Sequence, residues 1–329
     1  MKENDIRPDG MVEEQQKHII SDRERLLSFN KEFIEVVCPA CEESDSSHAF
    51  QKNKINYVNC NSCDTMYVNP RPTEKILNYC YSHSDVYDYW NKSIFPASED
   101  VRKEKIFIPR LNRIKEFCEK YNIEKELLIE VGAGYGTFSE VANENKSFRK
   151  VIAIEPSPES ANSCESKGIE VINDFIENVN LDNHVVNVIA SFEVIEHLFS
   201  PMNFIKECFR ILSPGGLLVL TCPNIHGFDI GILQEKSQSV DHEHLNYFNP
   251  SSLQALVEKC GFTTLEVLTP GELDVEILHK TIKRGEYELP NNSFVNNLFI
   301  NRYHSLKNSL QTFLKDNLLS SHLWIVARK

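Results

Sequence analysis

Glycine is scarce: 12 in 329 residues is about half the roughly 7% usual in globular chains. No apolar run approaches 18 residues, which excludes a membrane-spanning helix. The opening Met1-Lys2-Glu3-Asn4-Asp5 lacks the apolar core of an export signal. Positive charge is the minority, with 35 Lys and Arg against 48 Asp and Glu and a formal charge of −13. That balance argues against non-specific binding to nucleic acid or to an anionic membrane. With no export signal, the ten cysteines read as thiols in a reducing, cytoplasmic compartment rather than as disulfides. At 41% hydrophobic and 25% charged residues the chain folds, and its length suits two domains.

The scarce residues are unevenly placed. Gly132, Gly134 and Gly136 fall within five positions, and Cys38, Cys41, Cys60 and Cys63 form two close pairs. Residues 1–35 are polar, with apolar residues at near-helical spacing that predict a helix over 11–34 behind a disordered tip. Residues 36–72 hold the cysteine pairs and read as a small metal-stapled hairpin unit. Residues 73–125 read as a helical linker or lid. Within it, Tyr79, Tyr81, Tyr87, Tyr89, Trp90 and Phe95 form an aromatic stretch. These aromatics either stack on a sugar or ring of a ligand, or fill the space between the cysteine unit and the next domain. A charged helix is predicted over 100–121.

From residue 126 the pattern changes. Apolar strands at 127–131, 151–154, 169–172, 185–190 and 217–221 alternate with helices at 137–145, 157–167 and 201–211. This spacing predicts an α/β fold with a parallel, doubly wound, Rossmann-like sheet. A helix at 250–259 and strands at 262–268 and 323–327 complete it. The domain runs over 126–329, and residues 271–320 form a helical insertion within it.

Cys38-Pro-Ala-Cys41 and Cys60-Asn-Ser-Cys63 enclose 18 residues, inside the spacing window of structural zinc sites. A two-residue spacer lets both thiolates of a knuckle reach one tetrahedral ion. Four sulfurs close the shell, so this Zn2+ is structural, and residues 36–75 are not basic enough for a nucleic-acid knuckle. Loss of one thiolate is expected to release zinc and unfold residues 36–70 while leaving the main sheet largely intact.

Glu130-Val131-Gly132-Ala133-Gly134-Tyr135-Gly136 follows a strand and opens a helix. A dinucleotide loop wants G-x-G-x-x-G, and its third position here is Thr137. The G-x-G-x-G spacing after an acid resembles motif I of the class I S-adenosylmethionine-dependent methyltransferases. The resemblance covers residues 126–269 and the last strand, and implies a seven-stranded methyltransferase sheet. It implies that Glu130, Gly132, Ala133, Gly134 and Gly136 cradle the methionine end of S-adenosylmethionine. Glu155 and Pro156 end the second strand, where the family's acid grips the ribose. Asp174 and Phe175 match the adenine contact, and Ser191 and Phe192 line the methionine end. Leu212-Ser213-Pro214-Gly215-Gly216 stands before the fifth strand, as in many members.

After the fourth strand, Glu193-Val-Ile-Glu196-His197 shares one face if the segment is helical. Asp241-His242-Glu243-His244 lies downstream at the same edge. Three readings stand: His197 is a general base for a hydroxyl acceptor, or Glu193, Glu196, His197 and one of His242 and His244 hold a second divalent metal, or the Glu-His pair is purely structural. The second constellation resembles small-RNA 3′-terminal 2′-O-methyltransferases, although the acidic charge speaks against nucleic acid. Glu-His at this place is also widespread in methyltransferases of the ubiquinone-biosynthesis type. The whole arrangement resembles bacterial methyltransferases that place a four-cysteine zinc unit before the catalytic domain and act on sugars. It implies a small-molecule or carbohydrate acceptor in polysaccharide or natural-product biosynthesis. An NAD(P)-dependent oxidoreductase and a non-catalytic zinc and methyltransferase-fold interaction module are the readings from other classes. Monomer and homodimer both stay open.

Overall fold

The computed structural model describes residues 3–6 and 9–329. The N-terminal helix α1 (Asp9–Leu27) stops seven residues short of the predicted end. Near its C-terminus Asp22, 5% exposed, accepts from Ser84 Oγ and the backbone amides of Asp85 and Val86 at 2.6–3.0 Å. The tip of the aromatic stretch is thereby pinned to α1.

Strands β1 (Ser46–Lys52), β2 (Ile55–Cys60) and β3 (Met66–Val68) form an antiparallel sheet. The cysteine unit is larger than the predicted hairpin, because a fourth strand comes from far along the chain. This is β9 (Asn246–Tyr247), which pairs Met66 with Tyr247 and Tyr67 with Asn246. Arg71 is 1% exposed and donates to the carbonyls of Val68 and Phe199, each at 3.2 Å. Tyr57 Oη reaches the Asp241 carbonyl at 2.7 Å, and Asn249 Nδ2 the Cys63 carbonyl at 2.9 Å. Cys38, Cys60 and Tyr67 share one apolar core with Ile129, Ile189 and Phe248. The unit is welded to the main domain.

Thr73 caps α2 (Glu74–Ser82) by accepting from the Ile76 amide at 3.4 Å. Helical turns then run on through Asp85–Tyr89 and Phe95–Arg102 to α3 (Ile108–Tyr121). Wide π turns at Trp90–Ile94 and Lys103–Phe107 interrupt them, each just ahead of a helix with Pro96 or Pro109 in its first turn. Proline has no N–H to close the normal ladder, so a wide turn absorbs the gap.

The large sheet contains β4 (Leu127–Val131), β5 (Lys150–Ile154), β6 (Glu170–Ile172), β7 (Val186–Phe192), β8 (Leu212–Pro223), β10 (Thr263–Leu268) and β11 (His322–Arg328). Its order is β10-β11-β8-β7-β4-β5-β6. The five strands from β8 to β6 are parallel, and β11 is antiparallel to both neighbours. Strands β4, β5 and β7 are almost wholly apolar and buried, as both-face coverage by helices requires. Those helices include α4 (Thr137–Asn145), α5 (Pro158–Ser166), α6 (Pro201–Ile211) and α7 (Pro250–Lys259). Between β10 and β11 the chain forms α8 (Asp274–Lys283) and α9 (Tyr303–Asp316). They pack on Leu233 in a cluster of their own. Among the described residues no helix is long and apolar enough to cross a membrane.

Strand order reverses between β4 and β7, and in open α/β sheets such a point opens a crevice beyond the carboxyl ends of the strands. That is where the glycine loop sits.

Candidate functional site

A cavity of 1330 Å³ lies along this carboxyl edge, larger than the roughly 300–1,000 Å³ typical for one small ligand. It runs from Asp174 and Phe175 beyond β6 to His322 and Trp324 on β11. Five strand spacings of about 4.8 Å make that roughly 24 Å.

At one end the three glycines all adopt positive φ, +76° at Gly132, +53° at Gly134 and +81° at Gly136. A Cβ at Gly132 would lie 2.4 Å from Val194 Cγ2, and one at Gly136 2.6 Å from Cys164 Sγ. Gly134 is different, since nothing lies within 4 Å of such a Cβ, and it faces the cavity. Its amide donates to Glu155 Oε2 at 2.7 Å, while Ser157 N donates to Oε1 at 2.9 Å. Burial raises the Glu155 carboxyl above its ordinary range, against the pull of these two amides. Ala133 and Pro156 line the wall beside it. Asp174 Oδ1 accepts from Phe175 N at 2.7 Å and Asn178 Nδ2 at 2.8 Å. The open Gly134 and the oriented Glu155 suit a ligand with vicinal hydroxyls, because a carboxylate offers two acceptor atoms.

Two residues of this set do other work. Ser191 is 2% exposed and donates its hydroxyl to the Val131 carbonyl at 2.8 Å, so it ties β7 to β4 instead of lining the cavity. Glu130 Oε2 accepts from Ser139 N at 3.0 Å and Ser139 Oγ at 2.5 Å, holding the first turn of α4. Burial pushes Glu130 up to about 8, although Ser139 and Arg110 act against the rise. Glu130 also borders the cavity. A cation bound there favours its ionised form.

The segment after β7 is a turn, so the condition of a helix that would have put these residues on one face is not met, and Glu193 takes φ +56°. Glu193 therefore does not join Glu196 and His197 in one ligand cluster. Its Oε1 accepts from Thr221 Oγ1 at 2.5 Å, meets His322 Nε2 at 2.9 Å and lies 3.7 Å from Arg110 Nη2. Glu193 is half-buried, and His322, Arg110 and Thr221 hold its carboxyl at about 2 against the desolvation. Glu196, His197 and His244 do gather, with one ligand atom of each inside 4.8 Å of the others. Nδ1 of His197 faces the Glu243 carbonyl at 3.2 Å and Nδ1 of His244 the Ser239 carbonyl at 2.8 Å, leaving both Nε2 atoms free. Glu196 is 0% exposed and neither carboxylate oxygen has a hydrogen-bond partner. His242 is outside this group, and its buried Nδ1 is unpartnered.

The aromatic stretch is divided. Tyr81 and Tyr87 line the cavity, and Tyr81 Oη donates to the His197 carbonyl at 3.3 Å. Phe95 stacks on Tyr135 of the glycine loop at 5.4 Å, with Trp90 beside it at 5.1 Å. Tyr79 and Tyr89 pack elsewhere, against Phe29 and His18. Four of the aromatics roof the cavity and the others anchor that roof.

In the cysteine cluster Cys38 Sγ lies 3.6 Å from Cys63 Sγ, and Cys41 Sγ 3.5 Å from Cys60 Sγ. All four fall within 4.8 Å of one another. A tetrahedron with metal–sulfur bonds of about 2.3 Å has edges of about 3.8 Å, so the donor set fits one zinc ion.

Arg110, Asp229, Asp274, His322 and Trp324 border the cavity without having been singled out in the sequence. One signal was available for His322. An antiparallel last strand starts at the edge where its parallel neighbours end.

Residues 103–267, half of the chain, match the family described as "Methyltransferase domain". A probable S-adenosylmethionine-dependent methyltransferase of Mycolicibacterium smegmatis is 35% identical over 83 residues, which is 25% of this chain and 31% of the relative. A protein of the same description from Mycobacterium tuberculosis is 29% identical over 116 residues, 35% of this chain and 41% of the relative. These matches span well under half of either relative. A solved S-adenosylmethionine-dependent methyltransferase from Archaeoglobus fulgidus superposes with a TM-score of 0.45 at 17% identity, over 66% of this chain and 94% of that one.

Proposed function

This chain belongs to the methyltransferase-domain family, and from that premise we propose that it transfers a methyl group from S-adenosylmethionine to an oxygen of a small-molecule or carbohydrate acceptor. The acceptor class we favour is a sugar, nucleotide sugar or surface-polysaccharide precursor. The observation that carries the cofactor reading is the Gly134–Glu155 pair, an open glycine beside a carboxylate oriented by two amides. Glu155 holds the ribose, Asp174 and Phe175 the adenine end, and the loop 132–136 the methionine end. When bound, the cofactor supplies a methyl on a sulfonium that loses its charge in the transfer. The protein's part is to align the acceptor oxygen and exclude water, and the aromatic roof serves that end. His197, with Nε2 free, is the candidate base that takes the hydroxyl proton; burial and the neighbouring His244 pull its imidazole down to about 3, so it stands neutral and able to accept. Zinc on Cys38, Cys41, Cys60 and Cys63 is structural. The deciding titration adds S-adenosylmethionine and, separately, NAD to the protein in a calorimeter. Micromolar affinity for the first alone, about −8 kcal/mol, supports the reading, and NAD binding alone replaces it with an oxidoreductase.

A second reading rests on the Glu196–His197–His244 cluster. Metal-bound imidazoles commonly donate their other N–H to a carbonyl, which is how both rings are held. On this reading the three residues hold a divalent ion against the acceptor oxygen. Elemental analysis separates the readings. Two metal ions per chain, falling to one in His244→Ala, support the metal, and one ion in both proteins leaves His197 as the base.

Glu130 yields a pH prediction. Since its carboxyl sits at about 8, it is protonated at pH 7 in the free protein. The sulfonium cation favours ionisation, so binding releases a proton and affinity for S-adenosylmethionine rises as pH passes from 7 through 8. S-adenosylhomocysteine shares the amino acid and nucleoside without the cation, and its affinity should rise less. Calorimetry in two buffers of different ionisation enthalpy reads the difference, and equal proton release by the two ligands contradicts it.

A further inference from the structure

Beyond Glu193 the cavity continues over Asp229, Asp274 and Ser321, none of which the cofactor assignment uses. Asp229 lies in the first turn of the helix Phe228–Leu233 and is 2% exposed. Its Oδ1 is buried without a hydrogen-bond partner. Ser321 Oγ is likewise buried, beside the Asp229 carboxyl and without a close hydrogen-bond partner. The backbone holds these two groups in place. A Cβ at Gly227 would lie 2.2 Å from Ser321 Cα, so this helix start presses on the residue before β11, and only glycine allows it.

Asp274 shows what a satisfied carboxylate looks like in the same wall. It accepts from Gln311 Nε2 at 2.6 Å, from Ser320 Oγ at 2.7 Å and from the Ser321 amide. Asp229 has nothing comparable at Oδ1. Leaving a buried polar atom unmade costs about 1–3 kcal/mol, and native proteins keep such atoms rarely. Here two stand in one cavity wall. Burial and the neighbouring Asp274 push the Asp229 carboxyl up to about 7, and a long hydrogen bond from the Ser321 side chain eases the rise.

We propose that Asp229 and Ser321 form the acceptor subsite, and that they hold a hydrogen-bond-donating group of the acceptor, a hydroxyl or an amine. Asp229 Oδ1 takes the donated hydrogen, and the Ser321 hydroxyl pairs with the same group. An anionic group is disfavoured, because Asp229, Asp274 and Glu193 all border this end, while Arg110 is engaged with Glu193 and Arg113 with the Trp324 ring. Glu193 and its partner His322 stand between this subsite and the glycine loop. They complete the wall on the side where the methyl arrives. The inference rests on the reading that the other end takes S-adenosylmethionine.

The test uses the full chain saturated with S-adenosylhomocysteine, titrated with methyl glucoside, ethanolamine and glucose 6-phosphate. One of the first two should bind in roughly the millimolar range, and glucose 6-phosphate more weakly. Preference for methyl glucoside identifies a hydroxyl, and preference for ethanolamine an amine. Asp229→Asn, close in shape to the native residue, should lower that affinity about tenfold, as expected for a lost hydrogen bond to a carboxylate. Ser321→Ala should lower it less, and both variants should keep the affinity for S-adenosylhomocysteine. Binding of neither probe, tighter binding of the phosphate, or equal binding by Asp229→Asn overturns the subsite. Failure of S-adenosylhomocysteine to bind overturns the cofactor reading instead. The same probes titrated without it then judge Asp229 independently.

Discussion

Cys38→Ser should lose its zinc and, with it, most of the methyl-transfer rate, while S-adenosylmethionine still binds. Structural zinc sites supply about 10–16 kcal/mol of apparent binding energy in isolated peptides, and a three-thiolate remnant gives up much of it. From the sequence the damage was expected to stay within residues 36–70. The fold says otherwise. Strand β3 of the cysteine unit pairs with β9, Val68 N donates to the Leu245 carbonyl at 3.0 Å, and Tyr57 and Arg71 reach Asp241 and Phe199. His244 sits between those anchor points. When the unit loosens, His244 and its neighbour His197 lose their register, and an ångström-scale misplacement costs about 100-fold in rate. The glycine loop and Glu155 depend on β4 and β5, which make no pairing with the small sheet, so cofactor affinity should hold. Metal analysis, calorimetry and a turnover assay on one preparation check all three parts. Full zinc content in Cys38→Ser contradicts the four-thiolate site, and an unchanged rate after zinc loss contradicts the coupling.

The second large effect belongs to Glu155. Glu155→Ala should weaken S-adenosylmethionine binding by about 1.5–3 kcal/mol, the range for a hydrogen bond to a charged group, or roughly 10- to 150-fold. Two consequences combine. The ribose loses its acceptor, and the amides of Gly134 and Ser157 lose the oxygens that hold the loop closed. Glu155→Gln keeps one acceptor atom and should fall between the variant and the native protein. Unchanged affinity in Glu155→Ala would remove this residue from the cofactor site. Thermal unfolding without ligand separates loop damage from lost contact, since only the former lowers stability in the free protein.

Much of this protein was legible along the chain because the relevant physics is local. Helix limits at Thr137–Asn145, Pro201–Ile211 and Pro250–Lys259 follow from apolar spacing and from proline in the first turn of the last two. The cysteine cluster follows from a two-residue spacer that brings neighbouring thiols together. The glycine loop follows from a backbone that only glycine adopts without strain. Local reasoning failed where the backbone left the expected path by one residue. Glu193 at φ +56° breaks the helix that would have joined it to Glu196 and His197. It was handed instead to His322 and Arg110.

By itself, then, the sequence determined the alternating architecture, the thiolate cluster and the glycine turn, each set by residues a few positions apart. Only the tertiary structure decided which distant groups meet. The antiparallel return of β11 brings Ser321 and His322 to the edge where Asp229 and Glu193 wait, and β9 joins the cysteine unit to His244. These pairings depend on how strands separated by tens to nearly two hundred residues share hydrogen bonds. Nothing in the spacing of either partner carries that information, because register and strand order are settled by the packing of the whole sheet.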